Sequence, residues 1–246
     1  MKPNASLSVL ALLLVGAMLS IVQAQQPAAE KSAAKAESGA AAGSPVYTPP
    51  LRGAPARRVG GSSRGAEQAL PGIAALAPDH VGLTVSEQPD LYWYLSKPTP
   101  IRIEITLIDS DGVKPVMEYA VGNAAGPAIH RISLADLAIR LKPDVEYQWS
   151  VALVPNAAER SNDILAGGAL KRIAVRAALA ARIAGAPMEE LPGVYASEGI
   201  WYDALATLSD MIRSRPQDRA LRDQRAALLQ QVGLSEVAEF DRGQAR

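Results

Sequence analysis

Residues 141–154 read LKPDVEYQWSVALV, and from Val145 onward apolar and polar positions alternate: Val145, Tyr147, Trp149, Val151 and Leu153 fall on one face, Glu146, Gln148 and Ser150 on the other. A period of two is that of a strand with one buried face. Runs of this kind recur at short spacing, at 81–86, 91–95, 101–108, 113–121, 128–134 and 171–177, so seven strands are predicted. In 101–108, Ile101, Ile103, Ile105 and Leu107 oppose Arg102, Glu104 and Thr106, and Asp109-Ser110-Asp111-Gly112 follows as a hairpin turn. Strands that succeed one another without helices between them favour an antiparallel sandwich over a parallel sheet.

Beyond Arg176 the period changes. A short Ala-rich helix to about Ala184 is predicted, then a Pro-containing connector over 188–195. Next comes a helix whose Trp201, Leu205, Leu208 and Ile212 share a face, and after Pro216-Gln217-Asp218 a second one carrying Leu221, Leu228 and Leu229. Ala204, Leu208, Met211 and Pro216 have the spacing of the second helix of a tetratricopeptide repeat. Leu191-Pro192-Gly193 interrupts the helix that should precede it, and a single copy cannot build a solenoid. One helical hairpin docked on the sandwich is expected.

The spacing Leu141-x-Pro143-Asp144-x-x-Tyr147 lets the tyrosine hydroxyl fold back onto the backbone near the leucine, as in the tyrosine corner of immunoglobulin-like sandwiches. The expected fold is therefore mainly β with an α tail: an immunoglobulin-like antiparallel β-sandwich over 81–177, then a C-terminal helical region over 178–246 folded as a hairpin.

Residues 1–24 place Lys2 before an apolar run and end in Val22-Gln23-Ala24, which reads as a signal peptide cleaved after Ala24. The run is too short for a permanent span, and the mature chain has no stretch of the roughly 20 apolar residues that one requires. A periplasmic or secreted protein is expected. Residues 25–46, rich in Ala, Gly, Ser, Glu and Lys, form a flexible linker, and 47–80 an Arg/Gly/Pro-rich lead-in. The chain contains no cysteine, so it must be stable by burial alone, and thiol catalysis and most zinc sites are excluded. Loss of the leader leaves 24 basic against 25 acidic residues; no global field selects nucleic acid or membrane.

No motif names a reaction. Gly61-Ser62-Ser63-Arg64-Gly65 has the spelling of a nucleophile elbow, but it follows prolines rather than a buried strand; a hydrolase using Ser63 and His130 is the least favoured reading. Asp109-Ser110-Asp111-Gly112 opens like a calcium loop yet lacks the third oxygen ligand and the closing glutamate, and no metal or other cofactor is expected. Two features suit binding instead. Tyr92 and Tyr94 project from one strand face and could stack on a sugar, with Trp93 in the core. Arg52, Arg57, Arg58 and Arg64 stand in a stretch without an acid from Val46 to Ala66, a multivalent contact for a partner's carboxylates or an anionic polysaccharide.

The blocks YTPPLRGAPARRVGGSSRG, GLTVSEQPDLYWYLS, LKPDVEYQWSVALV and GIWYDALATLSDMI, closed by LLQQVGL, resemble the bacterial exported family catalogued as domain of unknown function 928, over roughly 46–240. The resemblance implies an exported protein with a β-rich core and a helical tail, and carries over no catalytic residue. A non-enzymatic interaction module of the envelope with a protein partner is the expected function. A carbohydrate or cell-wall binding module using Tyr92, Tyr94 and the arginines is the alternative.

Overall fold

The computed structural model describes residues 43–50, 70–110, 112, 114–122 and 126–244. Its strands are β1 (Ile73–Ala75), β2 (Val81–Thr84), β3 (Asp90–Leu95), β4 (Arg102–Asp109), β5 (Met117–Val121), β6 (Ala128–Ser133), β7 (Glu146–Val154) and β8 (Ile164–Arg172). Five α-helices follow: α1 (Ala177–Gly185), α2 (Leu191–Ser197), α3 (Trp201–Ser214), α4 (Arg219–Gln231) and α5 (Ser235–Gly243). Helix and strand contribute about equally, so "mainly β" gives way to a mixed architecture.

The strands form two sheets, ordered β1-β3-β6 and β2-β8-β7-β4-β5, an arrangement that fits a β-sandwich. Every pairing is antiparallel except β2 with β8. That parallel pair corrects the expectation of a purely antiparallel fold. Nearly the whole sandwich lies between the two strands in sequence, which gives the chain length to return in the same direction. Leu91, Trp93 and Leu95 of the smaller sheet and Ile103, Ile105, Leu107, Trp149, Val151 and Leu153 of the larger one share one core. The Lys142 N–H donates to the Tyr147 hydroxyl at 3.0 Å, pinning the turn into β7.

The last strand differs from its predicted span of 171–177. It begins at Ile164, because Gly167-Gly168, which weakens a strand by propensity, is required by packing. A Cβ on Gly167 would lie 2.6 Å from the Trp149 carbonyl oxygen, and one on Gly168 2.3 Å from the Ala77 Cβ. Leu191-Pro192-Gly193, read as an interruption, opens α2, since proline in a first helical turn sacrifices no hydrogen bond.

The helices pack into the core of the sheets. Trp201 Nε1 donates to the Leu76 carbonyl at 2.9 Å; Tyr202 accepts from Trp149 Nε1 at 2.9 Å and donates to the Ala169 carbonyl at 3.0 Å. Part of the lead-in is structural too. Tyr47 is buried against His80 and Trp201, its N–H donates to Gln231 Oε1 at 2.7 Å, and Gln231 Nε2 donates to the Pro45 carbonyl at 2.8 Å. Gln231 and the Ala196 carbonyl, which accepts from the Thr48 N–H at 3.0 Å, thus hold this segment by its main chain.

Candidate functional site

Asp203, Ala206, Thr207 and Asp210 stand at i, i+3, i+4 and i+7 of α3, so one stripe of the helix carries two carboxylates and two small residues. This stripe is one wall of a cleft of about 300 Å³. The opposite side is made by the loop between β2 and β3 (Ser86, Gln88, Pro89), by Asp90 and by Ser133 and Ala135; Tyr195 of α2 lies at one end. Among the described residues, three aspartates and no basic side chain line it.

Asp203 is fixed by that loop. Its Oδ2 accepts from the Val85 N–H at 3.1 Å, and the nearby Thr84 hydroxyl and Ser86 N–H favour its charged form. Thr84 Oγ1 in turn accepts from the Ser86 N–H, and Ser86 Oγ from the Gln88 N–H, so short polar side chains shape the loop locally. Burial outweighs these hydrogen bonds and pushes the Asp203 pKa from 3.8 up to about 6. Asp90 is held by Arg131 Nη1 at 2.9 Å and accepts from the Tyr92 hydroxyl. Asp210, exposed, pairs with Arg213 at 2.8 Å.

A pH dependence of stability follows. The unfolded chain releases the Asp203 proton near pH 3.8, whereas the native chain keeps it to about pH 6. The native state binds more protons in that window, so this residue's contribution to stability falls as pH rises from about 4 to about 6 and is level above. The expected fall is of the order of 2 kcal/mol. Thermal denaturation of wild type and Asp203→Asn across this range checks it: the variant should lack that component, and identical pH profiles would refute the assignment.

The structure puts the residues singled out from the sequence in very different places. Tyr92 and Tyr94 do share a face of β3, but they are only 3% and 6% exposed. Tyr94 packs on Phe240 with ring centroids 4.9 Å apart, and the Tyr92 hydroxyl donates to Asp90 at 3.3 Å. Burial drives both hydroxyl pKa values up. A sugar platform needs an accessible ring face, and the helices cover these. Arg52, Arg57, Arg58, Arg64 and Ser63 lie outside the described residues. His130 stacks on Trp93, centroids 4.4 Å apart, where burial lowers its pKa. Among the described residues no group of three or more histidines, aspartates and glutamates is placed to hold a metal, and no helix is long and apolar enough to cross a membrane.

Asp203 and Asp210 carry no motif, and only their helical spacing with Ala206 and Thr207 marks them in the sequence. The family model described as Domain of Unknown Function (DUF928) matches residues 59–241, and the chain belongs to that family. No curated protein matches it.

Proposed function

We propose that this member of the DUF928 family is an exported, non-enzymatic interaction module that takes a cationic side chain of a partner protein into the cleft on α3. The observation that carries the reading is the lining: Asp90, Asp203 and Asp210 converge on about 300 Å³ beside apolar surface from Pro89, Ala206 and Tyr195, and while Asp90 is paired with Arg131 and Asp210 with Arg213, Asp203 has no ion pair among the described residues. A lysine or arginine needs both, carboxylates for the head and an apolar wall for the stem. The pKa of Asp203 near 6 adds a pH preference: a bound cation favours the ionised carboxylate, so affinity rises between pH 5 and pH 7.

Export is read from the leader over 1–24, and the mature protein should begin at Gln25. The immunoglobulin-like character of the sandwich is read from the Tyr147 corner. Arg52, Arg57, Arg58 and Arg64 would supply a second contact, with acidic groups of the partner or an anionic polysaccharide.

The test places a photo-reactive residue at Ala206, within the cleft, or at Val175, which is exposed elsewhere. Cross-linked peptides from Ala206 in living cells should come from one partner, contain lysine or arginine, and disappear when Asp203→Asn and Asp210→Asn are combined. Cross-links that survive those changes, or match those from Val175, would discard the reading.

A further inference from the structure

On the other side of α3 lies a second cleft, of about 260 Å³, with the opposite charge. Ser209 and Ile212 of α3, Arg213 at its end, Arg222 and Arg225 of α4, Ile129 of β6 and Phe240 of α5 contribute to its lining. Among the described residues, Asp241 is its one carboxylate.

Asp241 is 1% exposed and serves two arginines at once. Arg225, 6% exposed, grips it with Nε and Nη2, each at 2.7 Å, and spends Nη1 on Ser209 Oγ at 3.0 Å. Arg222 reaches the same carboxylate with Nη1 at 3.2 Å and the Pro216 carbonyl with Nη2 at 3.3 Å. Its Nε is buried and has no hydrogen-bond partner among the described residues. Among the described residues, two largely buried guanidiniums against one carboxylate leave a cation uncompensated in a region where an unpaired charge is costly. Arg213 on the rim is matched by Asp210 and does not alter that balance. The opposite wall, Ile129, Ile212 and Phe240, is apolar.

We propose that this cleft binds the carboxylate of an amphipathic organic acid, the head on Arg222 within the field of Arg225 and the apolar body against Ile129 and Phe240. A planar guanidinium with unused donors matches a carboxylate in shape as well as charge. An anion there completes the pairing that Asp241 leaves unfinished. The inference does not rest on the acidic cleft and survives or fails independently of it.

Two sources share this chemistry, a free organic acid and the C-terminus of a polypeptide, and four probes separate them. Hexanoate and hexanamide are titrated into the full mature chain and followed by amide chemical shifts. N-acetyl-Ala-Phe with a free carboxylate is then compared with its C-terminal amide. At concentrations up to about 10 mM, a suitable range for ligands of so few atoms, hexanoate should shift the Phe240 and Gln244 signals. Hexanamide should bind at least about tenfold more weakly, because it brings no charge to the unmatched arginine. Tighter binding of the peptide acid than of hexanoate would assign the natural ligand to polypeptide C-termini; the reverse would assign it to free acids. Arg222→Gln should abolish the preference for acid over amide while the remaining spectrum stays folded. Equal binding of acid and amide by wild type, or no shift at Phe240 and Gln244 with any probe, overturns the proposal without recourse to a variant.

Discussion

Gly168→Val is expected to destabilise the protein by about 3–5 kcal/mol, combining the cost of overpacking with that of broken buried hydrogen bonds. Any side chain at 168 begins with a Cβ 2.3 Å from the Ala77 Cβ, 3.4 Å from Trp149 Nε1 and 3.6 Å from the Tyr202 hydroxyl. None of these can step aside cheaply. Ala77 follows Leu76, whose N–H donates to the Tyr92 carbonyl and whose carbonyl accepts from Trp201. The Trp149 and Tyr202 polar atoms are bonded to each other. Relieving the clash therefore means prising β1 from β8 or breaking the link by which α3 enters the sheets. Since a domain of this size has about 5–15 kcal/mol in total, the variant stands near the edge of folding. Urea denaturation measures the loss, with Gly193→Ala as the comparison. No neighbour lies within 4 Å of a Cβ at 193, and that change in a helix should be neutral or stabilising by up to about 1 kcal/mol. Similar midpoints for the two variants would mean that the close approach at 168 is unimportant.

Asp241→Asn should cost a comparable amount, about 3–5 kcal/mol, because it leaves Arg222 and Arg225 buried with no counter-charge. The loss has a signature that distinguishes it from a simple packing defect. Removing one of the stranded cations ought to restore part of the stability, so the Asp241→Asn, Arg222→Gln double variant is expected to exceed the single Asp241→Asn variant by at least about 1 kcal/mol. Chemical denaturation of the four members of the cycle gives the coupling directly. Strict additivity would show that Arg222 is matched by something other than Asp241.

The two clefts flank the same helix with opposite charge, and the Asp210–Arg213 pair lies between them. Tertiary packing gathers the acids of the first cleft from residues far apart in the chain, Asp90 and Asp203, whereas Arg222 and Arg225 of the second are neighbours on α4 and packing brings Asp241 of α5 against them. A net charge near zero conceals both. The buried faces, in contrast, were legible wherever a regular period ran unbroken. Alternation marked β3, β4 and β7, and the i, i+4 recurrence of Trp201, Leu205, Leu208 and Ile212 marked α3. Where local preference opposed the fold, the reading failed. Gly167-Gly168 disguised the middle of β8, Pro192-Gly193 disguised the start of α2, and β1 is three residues long and too short to show a period.

By itself, the sequence determined the buried faces of β4, β7 and α3, since those follow from the local order of apolar and polar residues and need no partner. It also determined the family, the absence of thiol chemistry and the turn that closes on Tyr147. Only the tertiary structure decided what each buried face meets: that the outer face of β3 lies under helices, burying Tyr92 and Tyr94, and that β2 joins β8 in parallel. It likewise decided that burial pushes the pKa of Asp203 up to about 6. Such outcomes depend on distances between residues that are remote along the chain, and burial, charge pairing and pKa are set by those distances rather than by neighbours in sequence.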